Sequence, residues 1–296
     1  MAIMWIGDKI GWVLGTIIAV FIMVHWGWRA VFISFGLVGL IVAPLYYWVL
    51  RTHPQDSRFV NKAELEYITG GQAAVAEKKQ MPPWGDFLRS SQFWAIGGQF
   101  VTVDFVNYVF IAWVPVYLLE AHHFSLKQMG FVAALPEVGF AVGQIVCGSI
   151  ADYLIGRRIT TSNVRAWIGG LALLSCCGCL YFTAMAEDRW ITVAWLTFAN
   201  TCLGVGSNCA WTTCTEIGGK FAGTVTGWMN FWGNAIGGVS PLIIAWFVMH
   251  YGWRAAILVT AASGISGTIL WIFVRPNSPI RHRYSEPAQA AVVAAK

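Results

Sequence analysis

The feature that most constrains this chain is a series of eight apolar runs, each long enough to cross a lipid bilayer. They lie at residues 5–24, 29–50, 92–119, 129–154, 165–185, 190–214, 221–249 and 252–274. Backbone polar groups find no water in the hydrocarbon layer, so only helices and closed barrels span it. The runs are far longer than the ~10-residue alternating segments of a barrel. We therefore predict an all-α polytopic membrane protein with eight transmembrane helices.

The charge distribution predicts the orientation of these spans. The composition is 57% hydrophobic and 11% charged, and the net charge is +5. This positive charge does not indicate nucleic-acid binding, because fifteen of the 19 basic residues fall on the side of Met1. The four on the opposite side are Arg29, Lys127, Arg189 and Arg254. Because basic loops stay in the cytoplasm, we expect a multi-pass protein of the cell (inner or plasma) membrane with both termini cytoplasmic.

The seven cysteines do not form a disulfide framework, because all of them lie within predicted spans. Cys176, Cys177 and Cys179 form a cluster that could bind a soft metal. No second ligand cluster accompanies it, and small polarizable side chains that pack between helices are the favoured interpretation. We expect neither a metal nor a cofactor.

One long polar segment divides the chain. Residues 51–91 are bounded by Pro54 and Pro82–Pro83, and we predict a cytoplasmic linker that is partly helical around 62–80. It separates a two-span N-terminal part, residues 1–50, from a six-span part, residues 92–274. Residues 275–296 are polar and rich in Pro and Ala, which predicts a disordered cytoplasmic tail.

A two-helix unit is repeated at the two ends of the chain. The segment Gly27-Trp28-Arg29-Ala30-Val31-Phe32 recurs as Gly252-Trp253-Arg254-Ala255-Ala256-Ile257. Each copy joins two apolar spans on the predicted outside, and the second span of each pair ends in a basic segment. Four predicted spans of the six-span part precede the second two-helix unit, and none precedes the first unit.

The stretch 207–241 is the main candidate for a functional site, because it is polar although its flanks are apolar. A turn at Glu216–Lys220 would make its two halves antiparallel helices. Asn208 and Asn230 then lie roughly 15 Å from the turn, near the bilayer midplane. Polar groups at that depth indicate a binding site, or else hydrogen bonds that only hold helices together.

Acidic side chains in two other spans are further candidates. Asp104 is a possible proton or cation site, and it shares a helix face with Asn107 beside Tyr108. A structural hydrogen bond is the equally weighted alternative. Asp8 lies beside a glycine stripe in the first span, where it either marks the cytoplasmic interface or faces the pocket. In the fourth span Asp152, with Arg157 and Arg158, can form a charge latch between helix ends.

Several of these motifs together resemble one known family. Gly148 to Arg158 is similar to the loop signature G-x-x-x-D-R-x-G-R-R of the major facilitator superfamily, although Tyr153 replaces the usual basic residue after the aspartate. The segments WVPVYL, LPEVGFAVGQ and VTGWMNFWGN and the GWRA turns are similar to its anion:cation symporter branch. The resemblance runs from Met1 to about Pro276.

This resemblance implies a proton-coupled secondary transporter for a sugar acid or another carboxylate, working by alternating access. Family members have twelve spans in two halves, and the match begins at the fifth. The first and fourth spans, which supply the arginine contacts and the protonatable acids, would then be absent. The resemblance places Trp211 and Asn230 at the substrate, and it places Asp8 where such members often have a glutamine. Asn208, Asn234 and Tyr108 complete the predicted substrate-binding set.

Two other functions stay open. The chain could be a non-transporting fragment or a mis-started product of such a gene, because removing four helices would expose polar pocket faces to lipid. An intramembrane enzyme ranks lowest, because no catalytic constellation converges at one depth and Glu137 lacks a clear catalytic partner. We therefore predict a non-enzymatic carrier, monomeric when full length, whose partners are a small organic anion, protons and the bilayer.

Overall fold

The computed structural model describes residues 7, 11, 14–15, 18–19, 21–49, 51, 54–69, 80–156, 161–276 and 278–280. Within these ranges the regular secondary structure is helical and contains no strand. Five helices or continuous helical runs are long and apolar enough to cross a membrane. These findings confirm the predicted all-α polytopic class. The chain divides into two compact units, one of residues Gly7–Met81 and one that begins at Pro82.

The first unit contains one long apolar helix and one short polar helix. Helix α1 spans Trp28–Val49, and α2 spans Lys62–Thr69. Asn61 caps α2, because its side-chain oxygen accepts a hydrogen bond from the Glu64 amide at 2.8 Å. The predicted linker helix thus begins at its expected position, and residues 70–79 lie outside the described part. Most of the first predicted span, 5–24, also lies outside it.

The second unit is a bundle built around one central helix. Its helices are α3 (Trp84–Arg89), α4 (Ser91–Glu120), α5 (Leu126–Val132), α6 (Ala134–Gly156), α7 (Thr161–Met185), α8 (Arg189–Gly218), α9 (Ala222–Gly237) and α10 (Ser240–Trp271). Helix α8 packs against α4, α6, α7 and α9, and α10 packs against α4 and α7.

Two spans that we predicted as continuous helices are broken, and proline explains both breaks. Span 129–154 is divided between α5 and α6 at Ala133, and Pro136 has no amide hydrogen with which to continue the earlier helix. Span 221–249 is divided between α9 and α10, where Pro241 occupies the first turn of α10. We predicted a turn at Glu216–Lys220. The turn begins later, at Gly219, because α8 continues to Gly218.

Glycines allow α6 and α8 to approach closely. A Cβ at Gly143 would overlap the carbonyl oxygen of Thr201, and a Cβ at Gly204 would overlap that of Phe140. Asn200 adds a hydrogen bond across the same interface, from Nδ2 to the Pro136 oxygen at 2.9 Å. Small residues and interhelical hydrogen bonds are the usual means of packing helices in membranes.

The two copies of the repeated turn have the same backbone conformation. Gly27 has φ 81° and lies directly before α1, and Gly252 has φ 77° and forms a kink that divides α10 into two helical parts. Only glycine adopts this left-handed region without strain, which explains why each copy begins with one. The predicted repeat is therefore confirmed at the level of the backbone.

The ends of the second unit differ from the predicted boundaries. The unit begins at Pro82, before the predicted residue 92, because Phe87 of α3 is fully buried in it. The tail does not become disordered at Arg275, since Ile280 is buried and its amide donates to the Ile217 oxygen at 2.9 Å. The predicted tail from residue 281 onward lies outside the described residues.

Candidate functional site

The candidate site lies where α9 crosses α4, and two glycines of α9 create it. A Cβ at Gly237 would lie 2.7 Å from Cδ2 of Tyr108, and a Cβ at Gly233 would overlap a carboxylate oxygen of Asp104. Larger residues at either position would push the two helices apart. The glycine stripe of α9 therefore brings the polar side chains of α4 directly against the α9 backbone.

A chain of hydrogen bonds joins the two helices at this crossing. The Tyr108 hydroxyl donates to Oδ1 of Asn234 at 3.0 Å. Nδ2 of Asn234 donates to both the backbone oxygen and Oδ1 of Asn230, each at 2.9 Å. Both asparagines are exposed on the surface of the unit. The structure thus brings three of the predicted site residues into one network that an external ligand can reach.

Asp104 lies beside this network and is buried, with 9% of its surface exposed. It lies about 20 Å from the first residue of α4, near the middle of that ~45 Å helix. Among the residues that the structure describes, it makes no hydrogen bond and no ion pair. A carboxyl group in this setting is stable only when it is protonated or has a cation beside it.

Aromatic rings border the network on the side of α8. Trp211 of α8 lies edge-on to Phe100 of α4, with ring centroids 5.7 Å apart. Phe100 also lies against Gly233, so the ring connects Trp211 to the α4–α9 crossing. Trp211 is half-buried and offers an apolar surface within the same region as the asparagines.

Asn208 occupies a different place from the other predicted site residues. Its side chain is 3% exposed, and Nδ2 donates to the Gln144 oxygen of α6 at 2.7 Å. The hydroxyl of Thr212, one turn further along α8, donates to the backbone oxygen of Asn208 at 2.7 Å. These contacts fit the alternative interpretation, in which an intramembrane asparagine holds helices together.

The side chains of the four remaining predicted residues lie outside the described part of the chain. Asp8, Arg157 and Arg158 are outside it, and Asp152 belongs to α6 although its side chain is outside the described part. The charge latch therefore stays a prediction. In the described part of the chain, no three metal-ligating side chains cluster, and the seven cysteines are free thiols.

Two buried glutamines and one aromatic ring near the site were not predicted from the sequence. Gln99 and Gln144 are 0% and 2% exposed, and their side-chain nitrogen and oxygen atoms have no hydrogen-bond partner among the described residues. Both glutamines lie within predicted membrane spans. The criterion that identified the asparagines, a polar side chain at membrane depth, would therefore have identified them as well. Phe100 carried no such signal, because a phenylalanine within a span is ordinary.

The site lacks a cation of its own. Helices α4 and α9 contain no lysine or arginine, so their contribution consists of one carboxyl group, one phenol, two exposed amides and neighbouring rings. Such groups can donate hydrogen bonds to hydroxyl and carboxylate oxygens, cover an apolar surface and hold a proton. They cannot by themselves neutralise a bound anion.

Comparison with known proteins identifies the family. A profile of the Major Facilitator Superfamily matches residues 1–241, which is most of the chain. The chain belongs to this superfamily of membrane proteins, as its motifs predicted.

Several similar curated proteins are named as transporters. The probable galactarate/D-glucarate transporter GudP of Escherichia coli is 28% identical over 275 residues, which cover 84% of this chain and 60% of that protein. The probable sulfoacetate transporter SauU of Cupriavidus necator is 29% identical over 261 residues, covering 84% and 58%. Human sialin is 25% identical over 279 residues, covering 92% and 56%. The chain spans about half the length of the curated relatives it matches.

Proposed function

We propose that this chain is part of a secondary transporter for a small organic anion, with the α4–α9 crossing as one wall of its binding site. The observation that carries the proposal is the exposed hydrogen-bond network of Tyr108, Asn234 and Asn230 beside a buried Asp104 that has no partner among the described residues. A membrane protein has little reason to expose two amides on a transmembrane helix unless they face water or a ligand. Relatives named as transporters of galactarate, glucarate and sulfoacetate support the same class of substrate.

Different residues of this wall would contact different parts of the substrate. Asn230 and Asn234 each offer an amide nitrogen and an amide oxygen, which suits the hydroxyl groups and carboxylate oxygens of a sugar acid. Trp211 would cover the apolar face of the bound molecule. Because α4 and α9 carry no basic residue, the positive charge that balances the substrate must come from elsewhere in the protein.

Asp104 is our candidate for coupling transport to protons. Its burial without a described partner makes the neutral, protonated form the stable one until a cation or a conformational change exposes the carboxyl group. Loss of that proton when the site opens to the other side would link proton movement to substrate movement. Asp104→Asn should retain anion binding and lose the dependence of uptake on a proton gradient.

Other parts of the proposal concern residues outside the described site. We expect Asp152, Arg157 and Arg158 to stabilise one of the two transport states, and Asp8 to face the pocket or the interface. We also expect a monomer in the cell membrane, with both termini on the cytoplasmic side, because fifteen basic residues fall on that side.

The experiment that tests the proposal is uptake into proteoliposomes that contain the purified full-length transporter of which this chain is a part. Radiolabelled galactarate and sulfoacetate would be supplied with an imposed inward proton gradient. We expect the wild type to accumulate at least one of them, and Asn230→Ala to reduce its uptake by about tenfold through the loss of a hydrogen bond to the substrate.

Phe231→Ala is the matched control, because it truncates the next, exposed side chain of the same helix. It should leave uptake unchanged. Equal uptake by Asn230→Ala and Phe231→Ala would remove Asn230 from the site. Absence of uptake of either anion by well-folded wild type would contradict the proposed function.

A further inference from the structure

A groove runs along the outer surface of the second unit between α7 and α10. It has a volume of about 570 Å³ and a mostly apolar lining. Its walls include Trp167, Leu171, Leu174, Ile269 and Ile272. All five side chains are about half exposed or more, so the groove is open along the surface of the unit.

The groove is a built feature of the helix packing. Trp271 is 2% exposed and forms part of its lining, and its ring lies so close to Gly169 that a Cβ there would overlap it. At the neighbouring Gly170, the absence of a side chain keeps the groove open above the same ring. Its depth therefore depends on two consecutive glycines opposite one buried tryptophan.

Arg275 lies at one end of this apolar groove and also lines a second, polar pocket of about 450 Å³. Arg89 and Asp86 of α3 line the polar pocket as well. Gln92 holds the backbone there, because its Nε2 donates to the oxygens of Arg275 and Ser278 at 3.2 and 3.0 Å. The groove and the pocket thus meet at one arginine.

Neither guanidinium group is satisfied within the described part of the protein. Arg89 and Arg275 are both exposed, and neither side chain has an ion pair or a hydrogen bond with a described residue. Asp86, the acidic residue of the pocket, has other contacts. An apolar groove that ends at Arg275, next to a polar pocket that also contains Arg89, matches a ligand with an apolar chain and an anionic head.

We propose that this groove and pocket bind one anionic phospholipid, with an acyl chain against Leu171 and Ile269 and the phosphate on Arg275 and Arg89. Arginine suits this role because its planar fork meets two phosphate oxygens at once. The groove is lined by residues of both α7 and α10, so an acyl chain in it would lie against both helices. Both volumes lie within the roughly 300–1,000 Å³ range of ligand sites. The lipid would hold the end of α3 and the segment that follows α10 together.

Native mass spectrometry of the purified chain tests this proposal. The protein would be equilibrated with phosphatidylglycerol, which is anionic, or phosphatidylcholine, which has no net charge. Two basic residues near an anionic lipid should give about a tenfold preference for phosphatidylglycerol. Replacing both arginines, Arg89→Gln with Arg275→Gln, should reduce that preference to about twofold or less.

Matched variants separate charge from shape. Arg254→Gln removes an exposed arginine about 30 Å away along α10 and should leave the lipid preference unchanged. Leu171→Trp should fill the groove and weaken the binding of both lipids. Leu242→Trp, on an exposed part of α10 outside the groove, should leave the binding of both lipids unchanged.

Two results would overturn the proposal. Equal retention of both lipids by the wild type would mean a non-selective lipid surface. Displacement of phosphatidylglycerol by inorganic phosphate, with Leu171→Trp behaving like the wild type, would mean that the pocket binds a free anion and that the groove has no part in it. Neither result would bear on anion transport, which rests on α4 and α9.

Discussion

The two copies of the repeated turn have the same local structure and very different surroundings. In each, a histidine two residues before the glycine places Nδ1 at hydrogen-bond distance from the carbonyl oxygen four residues earlier, at 2.9 Å for His25 and 2.8 Å for His250. In each, the following glycine, Gly27 or Gly252, has positive φ. The structural repeat therefore begins before the segment that sequence comparison identified.

The helices that follow the two turns differ in burial. Helix α1, after Gly27, contains no buried residue. The part of α10 after Gly252 buries seven residues against the bundle, among them Thr260 and Trp271. Gly39 and Gly264 occupy equivalent positions in the two copies. A Cβ at Gly39 would meet nothing within 4 Å, whereas a Cβ at Gly264 would overlap Sγ of Cys177.

This difference separates what the chain encodes locally from what depends on neighbours. A positive-φ glycine and a histidine bonded to its own helix are formed by contiguous residues, so both copies have them. Burial of one helix face requires other helices, and the second copy has α4 and α7 beside it. The short repeated sequence thus determines the conformation of the turn, but it does not determine how deeply the following helix is buried.

The largest expected effect comes from enlarging the two equivalent glycines. Gly264→Leu should lower the free energy of unfolding by about 3 kcal/mol, because the new side chain must displace Cys177 from a packed interface. Gly39→Leu should change it by less than about 0.5 kcal/mol, since its surroundings are open. Thermal unfolding in detergent would measure both. Equal losses in the two variants would contradict the difference in packing.

A smaller effect is expected from the turn glycines themselves. Alanine at positive φ costs roughly 1–2 kcal/mol, so Gly27→Ala and Gly252→Ala should both weaken their own turn. Only Gly252→Ala should lower the unfolding midpoint of the bundle, because Trp253 packs on Trp113 and Tyr117 with ring centroids 5.8 and 5.4 Å apart. Hydrogen exchange would report each turn separately. If exchange changed at only one of the two turns, their equivalence would be refuted.

The smallest effect should appear as a pH dependence near the second turn. Burial lowers the pKa of His122, the neighbouring His123 lowers it further, and Asp188 partly opposes this. The unfolded chain therefore binds the proton more tightly than the folded chain. The contribution of His122 to the free energy of unfolding is fully present above pH ~6.5, the ordinary pKa of histidine. It is lost as the pH falls through the lower pKa that His122 has in the folded protein.

His122→Gln removes this titration and should make stability less sensitive to acid, with little change above neutral pH. The imidazole Nε2 lies 2.8 Å from the Tyr117 hydroxyl, and Tyr117 in turn packs on Trp253. Unfolding midpoints measured across pH 5–8 would show the change. An unaltered pH profile in the variant would mean that His122 does not contribute to the second turn.

Much of the fold could be predicted because lipid imposes simple rules on sequence. Apolar length located the helices, and glycine with proline located the turns, since each acts through its own backbone. The breaks at Pro136 and Pro241 were missed because a proline inside a membrane span is often tolerated. The burial of Ile280 was also missed, because it depends on a distant contact with Ile217.

The candidate site was predictable in composition but only partly in arrangement. Depth in the bilayer identified Asn208 and Asn230 equally, because depth does not specify which neighbour a side chain faces, and Asn234 was added to the predicted substrate-binding set. The structure separates them, since Asn208 bonds to α6 and the other two form the exposed network on α9. Which helices pack against α8 is a tertiary property that no local pattern contains.

The most direct test of our central claim asks whether the asparagine face of α9 is in contact with water. Asn230→Cys, Asn234→Cys and Phe231→Cys would be treated in membranes with a charged thiol reagent, and intact mass would report modification. The seven native cysteines are buried or half-buried, and they set a common background. We predict that cysteines at 230 and 234 react and that one at 231 does not. Reaction at 231 without reaction at 230 and 234 would contradict a ligand-binding wall at the α4–α9 crossing.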